Sequence, residues 1–106
     1  GDPTATGLGG PGYTLPDELP ATAAYSRGVV AMANAGPNTA GSQFFILFGD
    51  ADWLPPQYSI FGEVTSGYEV LDQIAEIPLG RGPASADPNP STPLESLYIE
   101  SVTVTR

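Results

Sequence analysis

The feature that most constrains this chain is a pair of apolar runs, GVVAMA at Gly28 to Ala33 and QFFILF at Gln43 to Phe48, separated by the nine residues NAGPNTAGS. Each run is six residues long and bounded by turn formers, which suits a buried strand and is short for a core helix. Ser59 to Val64 (SIFGEV) reads as a third strand. Ser66-Gly67-Tyr68-Glu69 then places a serine three residues before a glutamate, the pattern of a capping box. Val70, Leu71, Ile74 and Ile77 follow at helical spacing, so one α-helix is expected over about residues 67–76, stopped by Pro78. Leu97 and Ile99, then Val102 and Val104, alternate with polar neighbours but change phase across Glu100-Ser101, which predicts a terminal strand with a bulge or bend. The fold class is therefore mainly β with one helix.

The segments between these elements are dominated by glycine and proline, 13 and 12 residues of 106. Residues 1–23 have Tyr13, Leu15 and Leu19 as their few apolar anchors and read as a long ordered loop. Residues 78–93 (PLGRGPASADPNPSTP) carry five prolines and almost nothing apolar, so an exposed loop is expected. At this length the chain supports one small domain that buries roughly 60 to 70% of its unfolded surface.

Charge and composition then exclude most chemistry. The net charge is −9, and the basic residues are Arg27, Arg81 and Arg106, with no lysine. Nucleic acid and anionic membrane are poor partners for such a surface. The longest apolar stretch, Phe44 to Phe48, is far too short to span a bilayer. With no histidine and no cysteine, the usual general base at neutral pH, the thiolate nucleophile and the commonest metal ligands are all missing, and no metal or cofactor is expected. Ser42 lies in AGSQF, which is not the GxSxG of a nucleophile elbow, and reads as a loop-end serine bonded to its own backbone. The carboxylate pairs Asp17/Glu18 and Asp50/Asp52 fall in short polar turns, where a solvated role outweighs calcium binding or acid–base work. GLGGPG at Gly7 to Gly12 has neither a preceding strand nor a following lysine and helix, so it reads as a turn with left-handed positions, not a phosphate cradle.

Binding chemistry survives this elimination. Met32, Phe44, Phe45, Phe48, Trp53, Leu54, Tyr58 and Phe61 put most of the chain's large side chains within thirty residues, with the amides Asn34, Asn38 and Gln43 among them. An apolar pocket with a few fixed amide groups is how small apolar ligands are held, although any one of these aromatics is as well explained as core. Trp53, in the polar stretch GDADWLPPQ, is the best placed to form a rim.

MANAGPNTAGSQFFI, followed by WL and then by SIFGEVTSGYEVLDQI, closely resembles the cyclophilin peptidyl-prolyl isomerases, and GDPTATGLGGPGY with Asp17-Glu18 resembles the loop after that family's third strand. The resemblance covers essentially the whole chain. It implies an antiparallel barrel and an isomerase of X-Pro bonds in protein folding, acting on proline-containing peptides and on unfolded or folding proteins. Phe45 and Leu54 would wall the proline pocket, with Met32 in support. Ala33, Asn34 and Ala35 would line the groove, Asn34 pinning the peptide through its backbone, while Gln43 contributes a hydrogen bond and Gly7 flanks the extension for residues before the proline. Trp53 would form the rim used by cyclosporin. Tyr58 stands where many eukaryotic members have histidine, which predicts an altered preference with the pocket kept.

The resemblance also implies that these 106 residues are the C-terminal portion of a cyclophilin-like domain. The family's catalytic arginine, a pocket phenylalanine and a glutamine precede the position of Gly1-Asp2, as do the first strands and first helix. No arginine of this chain aligns with the catalytic one, so no catalytic residue is expected here; weak peptide affinity, little isomerase activity, an incomplete barrel and self-association through open sheet edges are. Two other readings compete: a non-catalytic proline-peptide or chaperone module, and an acidic β-domain whose aromatics are all core. The composition looks bacterial; the compartment is open, because a signal or anchor would precede Gly1.

Overall fold

The computed structural model describes residues 1–19, 24–80, 92–93 and 97–105. The two apolar runs form strands, shorter than the runs themselves: β1, Val29–Met32, and β2, Phe44–Ile46. β3 spans Ile60–Glu63. All three belong to one antiparallel sheet in the order β2-β1-β3, with β1 in the middle. The register pairs Met32 with Phe44, Ala31 with Phe45 and Val30 with Ile46 on one side, and Ala31 with Ile60 on the other, with an irregularity between Val30 and Ala31. Beyond the strands the ladder continues through Gly28, which donates to the Leu47 carbonyl at 2.7 Å and accepts from Val64 at 2.7 Å. The sheet is not closed among the described residues.

Because directly paired residues share a face and neighbours along a strand alternate, this register fixes two unlike faces. One carries Val29, Ala31, Phe45, Leu47 and Ile60, packed with Tyr25, Ala51, Leu54 and Tyr58 into the core of the described residues. The other carries Val30, Met32, Phe44 and Ile46, with Phe61 meeting Phe44 edge to face at 6.2 Å between ring centres. Phe44, Ile46 and Phe61 are exposed there.

The helix, α1, covers Tyr68–Ala75, inside the expected span, but without the expected capping box. Gly67 is the N-cap, with φ of 88°, and no side chain caps the end. The left-handed turn moves the helix start one residue on, so Glu69 falls one position before the one a capping box requires, and Ser66 lies outside. Glu69 still faces the positive end of the helix dipole. The far end closes with short-range bonds from Glu76 to Gln73 and from Ile77 to Ile74, ahead of Pro78. Arg27 ties the helix to the sheet: its guanidinium meets Asp72 at 2.7 Å and lies 4.9 Å from the Tyr68 ring centre, while the Tyr68 hydroxyl donates to the Val64 carbonyl.

The long N-terminal loop is described as far as Leu19, and Leu15 bridges to Ala40. The proline-rich segment expected to be a plain loop is pinched at its ends, where β4, Leu79–Gly80, pairs antiparallel with β5, Thr92–Pro93. Residues 81–91, and with them Arg81, lie outside the described residues, as does Arg106. The terminal strand expected from Leu97 to Val104 is absent among the described residues. A strand is held by its ladder, and no described residue pairs with 97–105, so Leu97, Tyr98, Ile99, Val102 and Val104 are exposed. No helix among the described residues is long and apolar enough to cross a membrane.

Candidate functional site

On the packed face the aromatics are ordered by two contacts. Tyr58 stacks edge to face with Phe45, ring centres 5.5 Å apart, and with Tyr25 at 6.2 Å. Tyr25, only 3% exposed, donates its hydroxyl to the Tyr58 carbonyl at 2.7 Å and accepts the Tyr58 amide proton at 3.1 Å. Ala31, wholly buried beside Phe45, keeps this wall flat because it has no bulk beyond Cβ. Leu54 packs against the same cluster. Trp53 stands apart at 80% exposure, as a rim residue would.

Beside the wall runs an open cleft of about 710 Å³, lined by residues 7–14, 33–35, 39 and 41–43. One side is the turn after β1. Thr39 holds it, its hydroxyl accepting from Ala35 at 2.8 Å and donating to the Gly36 carbonyl at 2.7 Å. Asn38, at a left-handed φ of 57°, exchanges two 2.9 Å bonds with Asp17: each backbone N–H donates to the other's side-chain oxygen. Asn34 spans cleft and wall, lining the first while its side-chain amide donates to the Gln57 carbonyl, next to Tyr58, at 2.8 Å. Its backbone N–H and C=O have no hydrogen-bond partner among the described residues.

The other side is the glycine loop, and one carboxylate organises it. Asp2 accepts the Thr4 hydroxyl at 2.6 Å and the backbone amides of Thr4, Thr6 and Gly7 at 2.8 to 3.1 Å. The Thr4 hydroxyl first, and after it the amides of Thr4, Gly7 and Gly9, hold the Asp2 carboxyl at a pKa of about 2, against 3.8 ordinarily, with desolvation opposing. Gly7 and Gly12 take positive φ, as the turn reading expected. Gln43 reaches across from the sheet, its amide nitrogen donating to the carbonyls of Gly7 at 3.2 Å and Gly9 at 2.9 Å.

Of the residues expected to form the site, Gly7, Ala33, Asn34, Ala35 and Gln43 meet in the cleft, while Phe45, Leu54 and Tyr58 meet in the wall. Met32 joins neither. Pairing with Phe44 puts it on the opposite face from Phe45, so its support of the pocket is indirect, through the strand. Gln43 commits both amide hydrogens to the glycine loop, so it builds the cleft and keeps only its carbonyl oxygen uncommitted. Ser42 donates to the Gly1 carbonyl, far away in sequence, instead of bonding locally. Asp17 is no simple solvated turn residue, since it braces the β1 turn and buries one carboxylate oxygen without a partner. Asp50 accepts the Arg27 amide. Arg27, the one arginine among the described residues, is engaged by Asp72 and Tyr68. Tyr25 and Asp2 are the residues that sequence reasoning missed. Tyr25 acts on a residue 33 positions away, and no local pattern signals that; a carboxylate opening a glycine- and threonine-rich turn was the available clue for Asp2.

Residues 1–104 match the family described as cyclophilin type peptidyl-prolyl cis-trans isomerase/CLD. The chain is 43% identical over 107 residues to peptidyl-prolyl cis-trans isomerase B of Streptomyces anulatus, covering 98% of this chain and 57% of that protein. It is 39% identical to the probable peptidyl-prolyl cis-trans isomerase B of Mycobacterium leprae, covering 94% and 38%. A crystal structure of a Cryptosporidium parvum cyclophilin type peptidyl-prolyl cis-trans isomerase, in the presence of the dipeptide Ala-Pro, superimposes with a TM-score of 0.74 at 36% identity, covering 90% of this chain and 59% of that one. The chain thus spans about 38 to 59% of the length of these three relatives. The agreement of motif, register and superposition has one conclusion: the chain belongs to the cyclophilin-type peptidyl-prolyl cis-trans isomerase family.

Proposed function

We propose that this chain supplies the peptide clamp of a peptidyl-prolyl cis-trans isomerase, holding proline-containing segments of unfolded or folding proteins while the X-Pro bond rotates. Rotation breaks no covalent bond, so nucleophile, base and metal are unnecessary. What opposes it is amide resonance, a barrier of about 18 to 20 kcal/mol. A twisted amide is stabilised by an apolar wall for the ring, hydrogen bonds to the flanking chain and a positive charge near the prolyl nitrogen.

The observation that carries the reading is the joining of wall and cleft through Asn34. Phe45, Leu54 and Tyr58 offer the apolar surface, with Met32 behind it across the sheet. Asn34 turns an uncommitted backbone N–H and C=O beside that surface, able to pair with an extended peptide as a sheet edge does. Ala33 and Ala35 leave room for the peptide, and Gly7, held by Asp2 and Gln43, flanks its continuation. Trp53 forms the rim, where a cyclosporin-type macrocycle would also rest.

The charge is the missing part. Arg27, the one arginine among the described residues, is committed to Asp72 and Tyr68, and the reading taken from the family is that the cation belongs to another part of the domain, with this chain as its C-terminal portion. The open face of the sheet fits that reading, and in isolation it and the sheet edges draw copies together. The test has two arms. Trp53 fluorescence is expected to change on adding Ala-Pro peptide or cyclosporin, while a coupled isomerisation assay gives little rate above the uncatalysed one. Rates far above the uncatalysed one would contradict the assignment of the cation, and unchanged fluorescence with both ligands would contradict the clamp.

A further inference from the structure

We infer that Tyr25 is a positioning residue for the peptide clamp, acting through Tyr58; the inference rests on the proline-peptide reading of the groove. Tyr25 itself is buried and has no surface to offer a ligand. What it holds is unusual: one hydroxyl engages both the carbonyl and the amide of Tyr58, so the backbone of a wall residue is fixed by a side chain and not by a ladder. The edge-to-face contact at 6.2 Å fixes the ring as well as the backbone. One residue earlier, the Gln57 carbonyl accepts the Asn34 amide, so the segment 57–58 is gripped from the core by Tyr25 and from the cleft by Asn34. Among the described residues no other group hydrogen-bonds the Tyr58 backbone. The Tyr58 ring faces Phe45, and its hydroxyl is uncommitted. Removing the Tyr25 hydroxyl therefore releases the one wall residue whose place depends on it, and leaves the ring volume of the core unchanged.

The experiment is a double-variant cycle on the intact chain, read by Trp53 fluorescence during titration with a capped Ala-Pro peptide, at a temperature where circular dichroism shows each variant folded. Tyr25→Phe is expected to weaken binding about fivefold, the scale of one hydrogen bond. In a Tyr58→Ala background the same change is expected to cost nothing further, because the side chain it positions is gone. A purely structural role lowers the melting temperature and leaves both affinities unchanged, which would overturn the inference; so would an equal loss in both backgrounds. A wild-type chain that does not bind the peptide overturns the groove reading and this inference with it. A second readout needs no variant: in the wild type, exchange of the Tyr58 amide proton is expected to slow when peptide binds. Slowing at other groove amides with Tyr58 unaffected would contradict the role.

Discussion

The two faces of the three-stranded sheet are built from the same kinds of residue and come to opposite states. Tyr25, Ala31, Phe45 and Tyr58 on one face are packed, stacked and hydrogen-bonded. On the other, Phe44, Ile46 and Phe61 are exposed, while Val30 and Met32 in the central strand are half-buried. Apolar content does not distinguish them; the supply of partners does. The packed face is covered by the segments that precede β1 and follow β2, which bring Tyr25, Ala51, Leu54 and Tyr58 over it. The second of these segments also carries Trp53, Leu54 and Tyr58 of the proposed clamp. The described residues thus cover one face of the sheet from within and leave Phe44, Ile46 and Phe61 on the other uncovered.

Removing one aromatic from each face gives the largest contrast. Tyr25→Ala empties a buried site and is expected to cost about 3 to 4 kcal/mol in denaturant unfolding. Phe61→Ser, at a position 59% exposed, is expected to change stability by less than about 1 kcal/mol and to reduce self-association seen by light scattering. Equal costs would show that the two faces are equally packed and break the comparison.

Gly28 sharpens it next. At φ of 91° it is strained for any L-residue, and a β-carbon there would collide with the Tyr68 hydroxyl. Gly28→Ala is expected to lower stability by about 1 to 3 kcal/mol and to loosen α1 from the sheet, seen as faster exchange of the Val64 amide.

Arg27→Met probes the one arginine among the described residues. Its pair with Asp72 is exposed and screened, so the loss is expected to be about 0.5 to 1 kcal/mol, including the contact with Tyr68. Binding of an Ala-Pro peptide is expected to be unchanged; a large loss would place Arg27 in the clamp.

The smallest effect is local. The Asp2 carboxyl is held at a pKa of about 2 in the fold against 3.8 unfolded, so its contribution is complete above about pH 4 and disappears as the pH falls through 2. The amides of Thr4, Thr6 and Gly7 are expected to lose protection only in that interval, and to be unprotected at all pH values in Asp2→Ala. Loss between pH 5 and 7 would assign the loop's order to another group.

Much of this was legible in the sequence. The runs around Val29, Phe45 and Ile60 have strand length, the helix has its period, and the motif from Met32 to Phe45 carried the family. What escaped depends on register or on distance. Whether Met32 shares a face with Phe45 is decided by which residue of β2 lies opposite it, and two apolar runs without polar alternation do not say. The capping box failed because Gly67 takes a left-handed turn where the serine had been expected to start the helix. Asp17 reads as a turn residue and Tyr25 falls outside every expected element, and their partners, Asn38 and Tyr58, lie 21 and 33 positions away. The alternation from Leu97 to Val104 is that of a strand, yet a strand also needs a neighbour, and none of the described residues supplies one.

The central claim is that the peptide is held on the packed face and its cleft. Its most direct measurement is a two-dimensional NMR titration of the chain with an Ala-Pro peptide. The expected shifts fall on Ala33, Asn34, Ala35, Gln43, Phe45, Trp53 and Tyr58, with Val30, Ile46 and Phe61 unmoved. Shifts centred on Val30, Ile46 and Phe61, or none at saturating peptide, would contradict it.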